Sequence, residues 1–196
     1  MPDNTILASF VAAGASARTA RQDNLPSGGR QASQTMAETD FSRVRPLITK
    51  FNAAGSKTDL PPALLAAIAS RESRCGNVLD RNGFGDAENA FGIMQVDRRS
   101  HNLEGLPDPR SQEHIDQAAG ILNEAFAQAR RKFADQPLAR QLQAAVAGYN
   151  CGMGAVQSPA AADNHTTGQD YSNDVWTRAE FYGERWPAIV GNAPTG

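Results

Sequence analysis

No stretch of this 196-residue chain approaches 18 consecutive apolar residues, so nothing in it reads as a membrane-spanning helix. Cysteine is nearly absent. Cys75 and Cys151 are the only two, too few for a disulfide scaffold, so a hydrophobic core must supply stability. An excess of one charge is missing as well: 19 Lys and Arg stand against 21 Asp and Glu, for a net charge of −2. No basic stripe forms, so a nucleic-acid partner is not expected. The three histidines, His101, His114 and His165, are too dispersed to suggest a metal site, and no zinc spacing, phosphate loop or Ser-His-Asp pattern is present. Neither a metal nor a cofactor is expected.

What is present fits one globular domain over residues 1–196, with 40% hydrophobic and 20% charged residues. Residues 1–35 are rich in Gly, Ala, Ser, Gln and Asn and read as an irregular lead-in, with partial order left open. Within them Ile6 to Ala13 is apolar, and Ala15-Ser16-Ala17 resembles a signal-peptidase site. The only charge before it is Asp3, where an export signal carries Lys or Arg. Phe41, Val44, Leu47, Ile48 and Phe51 recur at helical steps, and Ala-Ala-Gly at 53–55 reads as that helix's end. A second helix is expected from Asp59 as cap, through Pro61 and Pro62, to about Arg74. Residues 83–97 are punctuated by Gly83, Gly85 and Gly92 and suggest a small hairpin or sheet. Ile115, Ala118, Leu122, Phe126, Ala129 and Phe133 mark a long helix. Leu142, Ala145, Val146 and Tyr149 mark another, closed by Gly152 and Gly154. A last helix runs from about Tyr171 to Trp186, with Pro187 as its stop. The chain therefore reads as mainly helical with a minor β element.

Glu72 is the first candidate for chemistry. It shares a helix face with Leu65, Ile68 and Ala69. Burial there would raise its pKa and keep it protonated near neutral pH, as a general acid requires. A solvated pairing with Arg71 or Arg74 is the plainer reading. In FGIMQVD (91–97), strand alternation would put Ile93, Gln95 and Asp97 on one face and Met94 and Val96 on the other, which suits a polar cleft wall. The plainer readings of Asp97 are a salt bridge to Arg98 or Arg99, or simple termination of the strand. Asp86 lies in the glycine turn GFGD (83–86), where a carboxylate often bonds its own backbone. Tyr149 and Asn150 lie where a helix meets a glycine-rich turn. An aromatic plate and an amide suit the apolar faces and polar edges of sugars, but a core tyrosine and a capping asparagine fit too.

Together, SRESRCG (70–76), GFGDAENAFGIMQVDRRSH (83–101), AGYNCGMG (147–154) and DYSNDVWTRAEFY (170–182) resemble goose-type lysozyme. The likeness extends upstream through GASARTA (14–20) and covers about residues 12–186. Four motifs in one order and spacing make it specific. The resemblance implies a lysozyme-like α+β fold, a helical domain whose cleft is flanked by a small antiparallel sheet. It implies hydrolysis of the β-1,4 bond between N-acetylmuramic acid and N-acetylglucosamine in peptidoglycan, with inversion. Glu72 matches the family's catalytic acid, and Asp86 and Asp97 match the aspartates that hold the attacking water. Gln95, His101, Tyr149, Asn150 and Tyr171 match positions lining the saccharide cleft, although His101 fits a surface loop equally well. A monomer acting outside the cell against bacteria is implied, with intracellular action or unconventional export left open.

The chain also departs from the family. Avian members carry N-terminal disulfide cysteines where this chain has Ala17 and the pair Gly28-Gly29, which makes it resemble the fish branch. Cys75 and Cys151 stand where relatives often have alanine. Each adjoins a catalytic motif, so they are expected either to lie close and pair or to pack as buried thiols. Two rival functions share these features. A lytic transglycosylase would form 1,6-anhydro sugars without water, and it typically lacks the second carboxylates. A non-catalytic saccharide-binding module would bind chitin oligomers and clear no wall.

Overall fold

The computed structural model describes residues 4–191, with side chains to 186. After a 3-10 segment, Asn4–Ser9, come α1 (Ala17–Ala20) and α2 (Arg30–Val44). A 3-10 turn, Arg45–Leu47, leads into α3 (Ile48–Thr58), and α4 (Pro62–Ser73) follows. The three two-residue strands are β1 (Phe84–Gly85), β2 (Ala90–Phe91) and β3 (Val96–Asp97). Next come α5 (Gln112–Lys132), α6 (Leu138–Cys151), the 3-10 segments Pro159–His165 and Thr167–Gln169, and α7 (Tyr171–Gly191). The fold is mainly helical, and its sheet is antiparallel in the order β1-β2-β3.

The centre is α4. Ten of its twelve residues are buried, Pro62 to Ser70 and Ser73. A helix apolar all round must be enclosed by others, and α4 packs most extensively against α7, with α3 and α2 beside them. Leu64, Leu65 and Ile68 are fully buried, each worth about 1.5–3 kcal/mol of hydrophobic free energy. Pro61 caps α4 and Pro62 occupies its first turn, where a missing N–H costs nothing. The helix stops sharply. Arg74, Cys75 and Gly76 are all left-handed, at φ +56°, +53° and +91°, and Cys75 N–H donates to Ala69 O at 2.9 Å. That stop leaves Glu72 in the last turn of the buried helix.

Several boundaries differ from the sequence reading. The lead-in is not irregular throughout, because α2 begins at Arg30. Leu7 is in the core, and its carbonyl accepts from the indole N–H of Trp176 at 3.0 Å. The helix expected from Phe41 is two helices, broken at Arg45-Pro46-Leu47, where Pro46 removes a helical donor. Ala-Ala-Gly at 53–55 does not end α3. Gly55 is buried, with the site of a Cβ 2.7 Å from Leu60 O, so it serves a close backbone approach. Asp59 is not the cap of α4 but the left-handed C-cap of α3, at φ +56°. Pro187 does not stop α7, which continues to Gly191.

Candidate active site

A cleft of about 520 Å³ opens between the C-terminal turns of α4 and α6 and the β-loop segment. Glu72, Asp86, Gln95, Asp97, His101, Tyr149 and Asn150 all line it. Of the side chains singled out in the sequence, Tyr171 alone is absent from its surface. It is 1% exposed and lies beneath the cleft, where its hydroxyl donates to Glu72 Oε1.

Glu72 keeps part of its surface open to the cleft, but its carboxyl is surrounded by protein. Burial raises its pKa from the ordinary range to about 7, although the Tyr171 hydroxyl and the positive Arg71 both pull it down. The solvated pairing with neighbouring arginines does not form. Arg71 turns away to Asp174 at 2.7 Å and Asp170 at 3.0 Å, and Arg74 reaches Asp23 at 2.6 Å and Asp40 at 3.1 Å. Arg71 also lies 5.5 Å from the Tyr171 ring centroid and donates to Thr167 O at 3.0 Å. One arginine thus ties the helix of Glu72 to Tyr171 and to the Thr167 edge of the cleft.

Behind this helix is a buried ionic cluster. Arg178 bonds Asp174 at 3.0 Å, lies 3.6 Å from Asp40 and donates to Ser70 Oγ at 2.9 Å. Burial alone would raise the Asp174 carboxyl, but Arg178 and Arg71 outweigh it and hold its pKa low.

Tyr149 and Asn150 end α6. The Tyr149 hydroxyl donates to Met94 O at 2.7 Å. The Asn150 amide oxygen accepts from Thr167 N–H at 2.9 Å, which fixes the loop opposite. Gly148 lets α6 fold back on Met153, whose Sδ lies 2.3 Å from where a Cβ would stand.

The opposite wall is not the extended strand that alternation implied. Between β2 and β3, Gly92 has φ +76° and Gln95 φ +53°, and Gln95 N–H closes a turn on Gly92 O at 3.1 Å. Ile93 and Met94 are both buried, which period-two alternation does not allow. The turn rests on the His114 ring. Nε2 of His114 accepts from Met94 N–H at 3.1 Å, and a Cβ on Gly92 would stand 2.4 Å from the ring. Burial lowers the His114 pKa to about 4, so the ring is neutral and able to accept. Gln95 reaches the cleft folded over Gly85. Asp86, Ala87 and Glu88 form a left-handed turn at φ +49°, +51° and +67°. The Asp86 carboxylate is exposed and accepts no hydrogen bond among the described residues.

Asp97 lines the cleft and also pairs with Arg99, not Arg98. Arg99 grips its carboxylate with Nε at 2.9 Å and a terminal nitrogen at 2.6 Å, and Arg99 N–H adds a bond of 2.8 Å. These bonds hold the Asp97 pKa down at about 2. The sequence reading named Arg99 only as a competitor for Asp97, yet it lines the cleft with Ser100, Thr167 and Ile121. The adjacency in Asp97-Arg98-Arg99 was the one signal for it. Thr167 and Ile121 gave none, because they arrive from distant elements.

Cys75 and Cys151 are both free thiols, buried and half-buried respectively. They do not meet. Cys75 faces the Asp40, Arg43 and Arg178 cluster, whereas Cys151 Sγ donates to Ala147 O at 3.3 Å, near Asp163. Among the described residues no group of three or more His, Cys, Asp or Glu is arranged to hold a metal ion, and no helix is long and apolar enough to cross a membrane.

The sequence model of the family described as Lysozyme g matches residues 7–185. Lysozyme g of Epinephelus coioides is 45% identical over 179 residues, covering 86% of this chain and 91% of that protein. Lysozyme g of Takifugu rubripes is 45% identical over 175 residues, with 86% and 90% coverage. Lysozyme g of Gallus gallus is 39% identical over 169 residues, with 86% and 79% coverage. By motif order, helical fold and these likenesses across most of its length, the chain belongs to the lysozyme g family.

Proposed function

We propose that this chain is a muramidase, a single catalytic domain that hydrolyses the β-1,4 bond between N-acetylmuramic acid and N-acetylglucosamine in bacterial peptidoglycan. The observation that carries this reading is the Glu72 carboxyl, raised to about 7 by burial and facing a cleft whose other wall bears Asp86 and Asp97. A carboxyl protonated near neutrality can deliver its proton to the leaving glycosidic oxygen. Tyr171 holds one oxygen of Glu72 in place. Asp86 and Asp97 then orient a water on the far face of the sugar and take its proton. Direct attack by that water inverts the anomeric carbon, which needs acid and base roughly 6.5–9.5 Å apart. Gln95, His101, Tyr149 and Asn150 offer amides, an imidazole and an aromatic edge to the saccharide.

Every residue in this reading belongs to one chain, so a monomer suffices. Its target lies outside the host cytoplasm, where bacterial walls are met, and antibacterial defence is the role that fits. A lytic transglycosylase needs no water-holding aspartates, so the pair on the loop wall favours hydrolysis.

The test is clearing of Gram-positive walls by wild type and Glu72→Gln, with mass spectrometry of the products. Hydrated reducing sugars from the wild type, and a variant slower by about a hundredfold or more, support the reading. Products lighter by one water make the enzyme a transglycosylase. Equal rates make Glu72 structural and refute the proposal.

A further inference from the structure

Arg99 is the single Lys or Arg side chain among the described residues lining the cleft, which it shares with three carboxyl groups, those of Glu72, Asp86 and Asp97. It occupies both oxygens of Asp97, with Nε 2.9 Å from one and 3.1 Å from the other. It also attracts Asp86 electrostatically, and His101 is the other basic group near Asp97. Neighbouring Arg98 is engaged elsewhere, donating to Glu88 O at 3.3 Å. A carboxylate with both oxygens held by a guanidinium has little capacity left for a water proton, and so strongly stabilised an anion is a poor base. Yet the clasp is not rigidly enclosed. The Arg99 side chain is 63% exposed and that of Asp97 36%, so the arginine can leave without disturbing the core.

Two glycans could enter such a cleft. Chitin oligosaccharides are neutral N-acetylglucosamine polymers. In the wall glycan, every second sugar carries a lactyl group ending in a carboxylate or in a peptide that bears carboxylates. A carboxylate arriving beside Asp97 offers the guanidinium a second planar anion of the same geometry.

On the muramidase reading above, we propose that Arg99 sets the substrate preference of this cleft: it clasps Asp97 when the cleft is empty, and a substrate carboxylate takes it over, freeing Asp97 to receive the proton of the attacking water. Neutral chitin cannot draw the arginine away, so it meets a base still neutralised. The proton balance is unchanged from simple hydrolysis, since Asp97 takes one proton from water and Glu72 delivers one to the leaving oxygen.

The experiment compares wild type, Arg99→Gln and Arg99→Lys on three substrates: wall glycan with intact stem peptides, glycan stripped of peptides by an amidase, and chitin hexamer. Unchanged melting temperatures will confirm that the exposed substitutions leave the fold intact. For Arg99→Gln, the ratio of kcat/KM on acidic glycan to that on chitin is expected to fall by about tenfold or more. The loss on acidic glycan should appear in KM and the gain on chitin in kcat. The acid limb of the chitin pH profile should also move up, as Asp97 returns towards an ordinary carboxylate. Arg99→Lys, which keeps the charge but not the fork, should fall between. A preference retained on stripped glycan identifies the lactyl carboxylate, and one seen only with intact stems identifies the peptide. An unchanged ratio, or equal losses on all three substrates, overturns the proposal. Calorimetric binding of stripped glycan and chitin hexamer reads the same preference without turnover. A wild type that binds the acidic glycan in preference, loses that preference in Arg99→Gln and yet cleaves nothing would sink the muramidase reading and the freeing of Asp97 with it, leaving only the hand-over of Arg99 to a substrate carboxylate.

Discussion

On the helical wall of the cleft, Glu72 ends a helix buried on nearly every side, with Tyr149 and Tyr171 around its carboxyl. On the loop wall, Asp97 stands half-exposed on a two-residue strand with an arginine around both oxygens. The same functional group is pushed to about 7 on one side and to about 2 on the other. Packing does the first, because an enclosed carboxylate loses its water. Hydrogen bonds donated by Arg99, with its charge behind them, do the second. The helical wall is right-handed up to the stops of α4 and α6, whereas the loop wall holds Asp86, Ala87, Glu88 and Gln95 at positive φ. Left-handed residues cost about 1–2 kcal/mol each, so the loop wall is held by tertiary support such as the His114 ring under Gly92.

The largest expected effect breaks the loop wall's chemistry. Asp86→Asn and Asp97→Asn singly should leave residual activity if the two share the water. The double variant should fall by about a hundredfold or more, towards the Glu72→Gln level, in wall-clearing assays. A double variant no worse than the singles would show that only one of them matters.

Next comes a stability difference on the helical wall. The folded pKa of Glu72 lies above its unfolded value of 4.5. Its protonated form therefore favours the folded state below pH 4.5, and that contribution is lost as pH rises through 7. Glu72→Gln removes the ionisation, so it should be more stable than wild type by about 3 kcal/mol at pH 8. The two should converge near pH 4. Urea unfolding at both pH values reads this, and equal stabilities at pH 8 would mean the carboxyl is not desolvated.

A smaller effect tests the support of the loops. Gly92→Ala places a Cβ against the His114 ring at a positive φ, at a cost of about 1–3 kcal/mol. Its urea midpoint should drop, and wall clearing should weaken as Gln95 and Asp97 shift. The smallest effect belongs to Tyr171→Phe. Losing the hydroxyl that favours the Glu72 anion should move the alkaline limb of the activity profile upward, with kcat at the optimum within about tenfold of wild type. A downward shift would show that Tyr171 stabilises the protonated acid instead.

The helical wall was largely legible in the sequence. Apolar residues at three- and four-residue steps mark α5 and α6, and glycines mark the turn after α6. The part of α2 before Phe41 was missed because its buried stripe includes Ser33 and Asp40 alongside Ala32, Met36 and Ala37. Polar residues held by a hidden ion cluster look like solvent-facing ones. The loop wall was legible as motif and not as geometry. Asp86, Gln95 and Asp97 line the cleft, but left-handed turns set their positions, not strand alternation. Contacts between distant segments, such as the Thr167 edge meeting Asn150, left no periodic trace.

The two cysteines carry a practical consequence. Neither is paired, and burial pushes the Cys75 thiol far above its ordinary pKa, which leaves almost no thiolate to react. Nothing among the described residues waits on an oxidant to become cohesive. The described fold is therefore held by packing, hydrogen bonds and ion pairs alone, and the redox state of its surroundings changes no cross-link in it. Recombinant production needs no disulfide-forming host, and strong reductants can be kept in every buffer.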